Sequence, residues 1–122
     1  MKNTKHFLIL ALSITFSLSL SAGELKRVPE RFQGVWAQDK KNCGKITESY
    51  FEITESQKKG WEGYGDIKLI YVYQNTVAFI SLSSSEGSTW LDTDTFELSS
   101  DEQVLFNKQT YPNVKYFKCP KS

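Results

Sequence analysis

Histidine is almost missing from this chain, and its scarcity bears on several kinds of chemistry. The only histidine is His6, which lies in an N-terminal segment that we expect to be removed. A serine triad needs histidine or a comparable base. Zinc, copper and haem sites lose their commonest ligand without it. The sequence therefore predicts no catalytic triad, no metal site and no cofactor.

Cysteine is nearly as scarce, because Cys43 and Cys119 are the only two in the sequence. No CxxC spacing occurs, which makes metal binding or nucleophilic catalysis poor alternatives for them. In an exported chain with two cysteines, pairing is the default. The sequence predicts one disulfide, joining the beginning of the domain to its last residues.

The chain also lacks a large excess of positive or negative charge. The formal net charge is +1. Loss of Lys2 and Lys5 with the leader leaves 13 Lys and Arg against 14 Asp and Glu, a net charge of −1. Such a balance attracts neither nucleic acid nor anionic lipid. We expect no nucleic-acid partner.

Only one long apolar run is present, Phe7 to Leu20, and Ser and Thr interrupt it. It follows a basic start and precedes small residues, an order typical of a secretory signal, with cleavage expected after Ala22. Cuts after Ser21 or Gly23 remain open. The alternative is an uncleaved anchor, but the run is shorter than the roughly 20 residues a bilayer requires. We predict a signal peptide at 1–22, one domain at 23–122, no stable membrane insertion, and a periplasmic or secreted location.

The rest of the chain has the alternation of apolar and polar residues that is typical of strands. The predicted strands are Phe32–Ala37, Tyr50–Thr54, Asp66–Tyr73, Thr76–Ser83, Thr89–Leu98, Gln103–Asn107 and Val114–Cys119. Turn residues separate them, often by two or three positions, which indicates antiparallel hairpins. No long helix is expected, although 24–31 could form one short turn covering a barrel end.

Seven or eight short antiparallel strands can form a closed barrel or a two-layer sandwich. The consecutive hairpins and the joined termini favour a meander barrel, since closure removes exposed strand edges. We therefore predict an all-β fold, an antiparallel meander barrel of 7–8 strands, with a β-sandwich as the alternative. Trp36, Phe51, Phe79, Phe96 and Phe106 are predicted to point inward.

Two short patterns resemble known groups of proteins. Pro29-x-x-Phe32-x-Gly34-x-Trp36, followed by Cys43 and by Tyr116-x-x-Cys119-Pro120, resembles uncharacterised small exported proteins of bacteria. The Gly34-x-Trp36 pair is similar to the start of lipocalin and other calycin barrels. This resemblance implies a calycin-like barrel in which the tryptophan packs across the closed end and the glycine permits a tight bend.

Three aromatic residues are the predicted ligand- or partner-binding site. Trp61 and Tyr64 lie in a glycine-rich stretch, Lys58–Gly65, that reads as a hairpin or bulged strand near an edge. Trp90 follows a turn and is expected at the barrel rim, where aromatic residues commonly meet ligands or partners. The alternative is that all three merely cover the end of the barrel.

Paired carboxylates could still catalyse glycoside hydrolysis. The candidates are Glu48, Glu52, Glu62, Asp66, Asp92 and Asp94. Residues two apart on a strand share a face, so Asp92 and Asp94 point the same way, which an exposed polar face explains equally well.

The leading hypothesis is a non-enzymatic exported protein that binds a small apolar ligand, or an envelope or secreted protein, through the barrel end. The alternative is an inhibitor or immunity protein acting on an envelope enzyme through the segment Lys58–Gly65. An enzyme using carboxylates comes third. An open apolar lumen would favour the ligand binder, and a filled barrel with a projecting loop would favour the inhibitor.

Overall fold

A computed structural model describes residues 23–45, 47, 49–61 and 63–121. The signal peptide predicted at 1–22 lies outside the described residues, so its cleavage site stays a prediction. Within the described ranges, no helix is long and apolar enough to cross a membrane. The strands are β1 Gly23–Leu25, β2 Gly34–Ala37, β3 Tyr50–Ile53, β4 Gln57–Gly60, β5 Tyr64–Tyr73, β6 Thr76–Ser85, β7 Ser88–Leu98, β8 Val104–Asn107 and β9 Lys115–Lys118.

Strands β2 to β9 form a closed antiparallel barrel. Around it the order is β5, β4, β3, β2, β9, β8, β7, β6, and β6 pairs back with β5. The short β1 is an extra strand, pairing with the later half of β5 through Gly23 opposite Val72 and Leu25 opposite Ile70. The predicted all-β antiparallel barrel is confirmed, with eight strands in the closed part, and the sandwich alternative is not adopted.

Two strands are absent from the predicted series, although the second of them overlaps the stretch Lys58–Gly65, which is predicted as a hairpin or bulged strand. We expected a helical turn within 24–31, but its first residues form β1, and only Glu30–Phe32 forms a 3₁₀ turn. The other is β4, with the sequence Gln-Lys-Lys-Gly. The sequence of β4 shows no alternation of apolar and polar residues, because the residue of this strand that faces the barrel interior is Lys58.

The apolar core fills one half of the barrel. It is built from inward-facing residues of the strands and from two residues of the N-terminal segment, Val28 and Phe32, which close this end. Trp36 is fully buried there, and its indole N–H donates to the Phe32 carbonyl at 3.1 Å. Gly34 opens β2 with φ of 128°, a backbone conformation that favours glycine.

One inward assignment is wrong. Phe106 is only half-buried, whereas its neighbour Leu105 is fully buried in the core. Phe106 pairs with the exposed residues Glu97 and Lys115. Adjacent residues of a strand point to opposite faces, so the aromatic ring lies outside, where the Lys115 ammonium stands 5.9 Å from its centroid.

The two longest strands, β6 and β7, form one hairpin paired from Thr76 opposite Glu97 to Ser85 opposite Ser88. Its two-residue turn places Glu86 at φ 50° and Gly87 at φ 82°. Positive φ at both central positions is the geometry that matches the twist of paired strands. The tight turn keeps the ladder intact to the tip, so both strands reach the barrel end opposite Trp36.

The predicted disulfide between Cys43 and Cys119 is present, with the Cα atoms 5.5 Å apart and a sequence separation of 76. Cys43 follows the 3₁₀ turn Lys40–Asn42, and Cys119 follows β9. The Cys119 N–H also donates to the Val35 carbonyl at 2.8 Å, which holds the C-terminal segment on β2. A disulfide fits an oxidising location outside the cytoplasm.

Candidate functional site

The inward face of β6 changes character halfway along the strand. Every second residue faces the same way, and this series runs Val77, Phe79, Ser81, Ser83, all of them buried. The first two belong to the apolar core. From Ser81 onward, hydroxyl groups replace hydrocarbon.

Strand β7 makes the same change one inward position earlier along the ladder. Phe96 and Leu98 are buried in the core, and the same face continues with Asp94, Asp92 and Trp90. The register sets Asp94 opposite Phe79 and Asp92 opposite Ser81. The interior is thus apolar at the Trp36 end and polar at the other.

At the polar end the barrel opens into a cavity of about 320 Å³, which we call the cup. Its lining combines aromatic, charged, hydroxyl and glycine residues: Tyr50, Phe51, Trp61, Tyr64, Trp90 and Tyr116; Lys58, Asp92 and Asp94; Ser81, Ser83, Ser84 and Ser85; Gly60, Gly63 and Gly65.

The floor of the cup is aromatic. The Phe51 ring lies 4.7 Å from that of Tyr116 and 5.5 Å from that of Phe96, measured between centroids. Above these rings stands the Lys58 ammonium, 5.0 Å from the centroid of Phe51 and 5.6 Å from that of Phe96. A cation over the face of aromatic rings is attracted by their quadrupole.

Lys58 also forms an ion pair across the interior. Its Nζ lies 3.0 Å from Oδ1 of Asp94, with side chains 29% and 12% exposed respectively. The pair joins β4 to β7, which are not neighbours in the barrel. Lys58 therefore places a fixed positive charge at the bottom of the cup, matched by Asp94.

Asp92 stands nearer the rim and holds two neighbours. Its Oδ2 accepts a hydrogen bond from Ser83 Oγ at 2.9 Å and another from the indole N–H of Trp90 at 2.9 Å. The second bond fixes the edge of the indole while Trp90 remains 43% exposed. One carboxylate thus orients both a wall hydroxyl and a rim aromatic.

In the described part of the chain, two buried side-chain polar atoms make no hydrogen bond, Arg31 Nε and Ser81 Oγ, and of these residues Ser81 lines the cup. Its side chain is 1% exposed, and in the described part of the chain its hydroxyl makes no hydrogen bond. A buried hydroxyl without a partner costs about 1–3 kcal/mol. Such a group within the wall of a cavity is suited to pair with an occupant.

Gly65 explains how the wall closes around these serines. A Cβ at this position would lie 2.8 Å from Ser83 Oγ and 3.0 Å from the Cβ of Ser81. The β5 backbone therefore passes against the serine side chains of β6. Any larger residue would displace the serines toward the middle of the cup.

The three residues predicted as the site all line the cup. Trp61 and Tyr64 come from either side of the β4–β5 connection, and Trp90 comes from β7. All three remain exposed, at 54%, 50% and 43% respectively. The structure brings them together around one opening, while their role in binding stays a prediction.

The sequence reasoning missed the interior of the site, namely Lys58 and the inward serines. One signal was available: the alternation Ser81-x-Ser83 continues the inward register of Val77 and Phe79. Lys58 carried no such signal, because β4 has no apolar residue to set its register.

The carboxylate candidates that the structure describes do not meet as a free pair. Asp94 is paired with Lys58, and Asp92 accepts from Ser83 and Trp90. Asp66 accepts from the Gln57 amide at 2.8 Å, and Glu52 lines a different cleft beside Gly34. Two further candidates, Glu48 and Glu62, lie outside the described residues.

No protein-family model matches this chain, and no curated protein and no solved structure resembles it significantly. The chemistry of the cup is therefore the basis for any functional conclusion.

Proposed function

We propose that this protein is a non-enzymatic binding protein that works in the periplasm or as a secreted protein and holds a small ligand in the cup. The observation that carries the proposal is the cup itself, an open cavity with an aromatic rim, an aromatic floor and convergent polar groups. Ligand sites are typically preformed concavities of this composition.

The arrangement of the carboxylates favours binding over catalysis. Hydrolysis of a glycosidic bond requires one carboxyl group as an acid and a second as a base or nucleophile. In the cup, Asp94 is neutralised by Lys58, and Asp92 accepts two hydrogen bonds. Both are engaged in holding other side chains, which is the role of positioning groups in a binding site.

An open apolar lumen would favour a ligand binder, and a filled barrel with a projecting loop would favour an inhibitor. The observed interior matches neither description completely. Half of the lumen is filled by the core, and half is open but polar. The segment proposed as an inhibitory loop is the β4–β5 hairpin, closed by the Gly60 N–H donating to the Gly63 carbonyl at 2.8 Å. Its aromatic residues belong to the cup wall, which favours the ligand binder.

One observation favours the second candidate, an inhibitor or immunity protein. On the outer face of the same barrel end, Leu82 pairs across strands with Leu91. They are 39% and 71% exposed. Two exposed leucines beside an aromatic rim could extend the contact area for an envelope or secreted protein.

Two observations support export of the protein: the secretory pattern in the sequence of residues 1–22, and the disulfide. A disulfide persists where the surroundings are oxidising. Periplasm and extracellular medium both meet that condition, and the proposal includes either.

Native mass spectrometry of the protein, purified under mild conditions from the cells that export it, tests the proposal. We expect a retained small-molecule mass that disappears in the double variant Trp61→Ala, Trp90→Ala. The matched control is Tyr73→Ala, which removes an aromatic residue that is 61% exposed at the far end of β5. A retained protein mass would favour the second candidate, and a bare chain in every preparation would contradict ligand binding in the cup.

A further inference from the structure

We infer that the ligand of the cup is a saccharide, bound with one face of a sugar ring against the rim tryptophans and its hydroxyls on the polar groups beneath. This inference rests on the proposed function and adds the chemical class of the ligand. It follows from the mixed polarity of the cup, from the unpartnered hydroxyl of Ser81 and from the geometry of the rim.

The charges of the cup favour a neutral ligand rich in hydroxyl groups. Among the described lining residues, the charged side chains are Lys58, Asp92 and Asp94. A carboxylate only accepts hydrogen bonds and an ammonium only donates them, whereas a hydroxyl does both. Neighbouring hydroxyls of a sugar can therefore satisfy acceptors and donors that stand side by side.

Ser81 supplies the independent observation that an occupant belongs here. Its hydroxyl is buried and makes no hydrogen bond to the described part of the chain. It stands opposite Asp92 in the β6–β7 ladder, one inward position from Ser83. A ligand hydroxyl at this level could pair with Ser81 and remove the cost of leaving it unpaired.

The tryptophans of the rim provide a flat apolar surface for the C–H face of a sugar ring. A pyranose has a face of C–H groups between its polar edges, and the flat face of an aromatic ring is an apolar surface of matching shape. Trp61 and Trp90 are half-exposed at the opening. The indole of Trp90 is held at its edge by Asp92, so its orientation is set before a ligand arrives.

Other ligand classes fit less well. A purely apolar ligand would remove the remaining water from the Lys58–Asp94 pair, which is costly, and would offer the Ser81 hydroxyl no partner. An organic cation would meet the Lys58 ammonium, which already occupies the aromatic floor. An anion would meet Asp92 and Asp94. The volume of about 320 Å³ lies at the lower end for ligand pockets, which suits a compact ligand of one or two rings.

A titration followed by ¹H–¹⁵N NMR tests the inference on the full mature chain. The saccharide probes are the methyl glycosides of glucose, galactose, mannose and N-acetylglucosamine, together with the β-1,4-linked disaccharide of N-acetylglucosamine. Decanoate serves as the apolar probe and tetramethylammonium as the cationic one. We expect at least one saccharide to shift the amide signals of Ser81, Ser83 and Asp94 in a saturable manner, and neither other probe to do so.

Variants show whether binding uses the cup. Ser81→Ala and Trp90→Ala should each weaken the affinity for that saccharide about tenfold, equivalent to about 1.4 kcal/mol. Tyr73→Ala should leave it unchanged. Dispersed amide spectra establish that each variant is folded, and Ser81→Ala is the variant least able to disturb the barrel.

The possible failures are distinguishable. If decanoate or tetramethylammonium shifts the cup signals and no saccharide does, the saccharide inference is wrong while the proposed binding function stands. If no probe binds and native mass spectrometry finds only the bare chain, both are wrong. Saccharide binding that survives Ser81→Ala and Trp90→Ala unchanged would place the site elsewhere and overturn the inference.

Discussion

Lys58 and Asp94 meet inside the barrel, with Nζ 3.0 Å from Oδ1, although β4 and β7 are not neighbours in the sheet. Their side chains are 29% and 12% exposed, so water screens the pair less than an ion pair on the surface. The pair marks the boundary between the apolar core and the cup, because Phe51 and Phe96 lie beneath the ammonium.

Removing one member of this pair should destabilise the fold. Lys58→Met leaves Asp94 as an unpaired, largely buried carboxylate, and we expect a loss of about 1–3 kcal/mol, between the values for exposed and fully buried pairs. Urea unfolding measures the change. The double variant Lys58→Met, Asp94→Leu should recover part of it, because no charge then remains buried. A double variant whose loss equals the sum of the two single losses would show that the pair has no coupling.

Ser81→Ala should have opposite effects on stability and on binding. The unpartnered hydroxyl has a desolvation cost, so its removal should raise the free energy of unfolding by up to about 1 kcal/mol in the empty protein. Chemical denaturation without ligand measures this. Ser83→Ala is the matched control. Ser83 donates to Asp92, so its removal should lower the stability. A clear loss of stability in Ser81→Ala would mean that its hydroxyl has a partner.

The barrel was predictable because most strands carry their register in the sequence. Phe79 and Phe96 alternate with more exposed residues, and two-residue turns join the long hairpins, so the antiparallel pairing of successive strands follows, and closure is favoured because it removes exposed strand edges. β4 was not predictable in the same way. Its interior position belongs to Lys58, and its place in the sheet is set by its neighbours β3 and β5.

The rim of the site was predictable and its interior was not. Trp61, Tyr64 and Trp90 stand beside glycines and turns, where large aromatic residues have little core to fill, and this signal is local. Lys58 and Asp94 are 36 positions apart in sequence. Their pairing depends on the closure of the barrel, which brings the inner faces of β4 and β7 toward each other. No local pattern reports such a distance, so the polar lower part of the cup emerges only from the three-dimensional arrangement.

The Cys43–Cys119 disulfide should account for much of the stability of the domain. It closes a loop spanning 76 positions, for which the chain-entropy model gives about 4.5 kcal/mol. The double variant Cys43→Ala, Cys119→Ala should lower the free energy of unfolding by an amount of that order, as measured in guanidinium. Thiol labelling of the native protein should find no free cysteine. Stoichiometric labelling would contradict the bridge.

Asp101 should contribute a pH-dependent stability at the turn between β7 and β8. The Ser99 hydroxyl, donating at 2.6 Å, and then the Gln103 N–H, donating at 3.1 Å, lower the pKa of this carboxyl below its ordinary 3.8. The pKa of Asp101 is lower in the folded protein than in the unfolded chain. The stabilisation is therefore fully present at a pH above the unfolded-state pKa, and it is lost as the pH falls through the folded-state pKa.

An NMR titration of the Asp101 carboxyl carbon measures this pKa directly. Asp101→Asn should remove part of the decline in stability that accompanies a fall in pH from above the unfolded-state pKa through the lower folded-state pKa, while Ser99→Ala should move the pKa back toward 3.8. A carboxyl that titrates at its ordinary value in the native protein would show that the two hydrogen bonds do not persist in solution.

Two glycines of the β4–β5 hairpin should respond differently to the same substitution. A Cβ at Gly63 would overlap the backbone carbonyl oxygen of Ser84, which has no freedom to move without disturbing β6. At Gly60 the nearest atom would be 3.9 Å away, an ordinary contact. Gly63→Ala should therefore cost about 1–3 kcal/mol of stability, and Gly60→Ala within about 0.5 kcal/mol.

The same pair of variants tests whether this hairpin shapes the cup. Since Trp61 and Tyr64 flank Gly63, a shift of the connection should move both aromatic side chains away from Trp90. We expect Gly63→Ala to increase the quenching of tryptophan fluorescence by acrylamide, measured in a Trp90→Phe background where the accessible tryptophan is Trp61 and the other, Trp36, is fully buried, and Gly60→Ala to leave it unchanged. Equal stability and equal quenching in the two variants would mean that the hairpin packs less closely on β6, and that the wall of the cup is not fixed by Gly63.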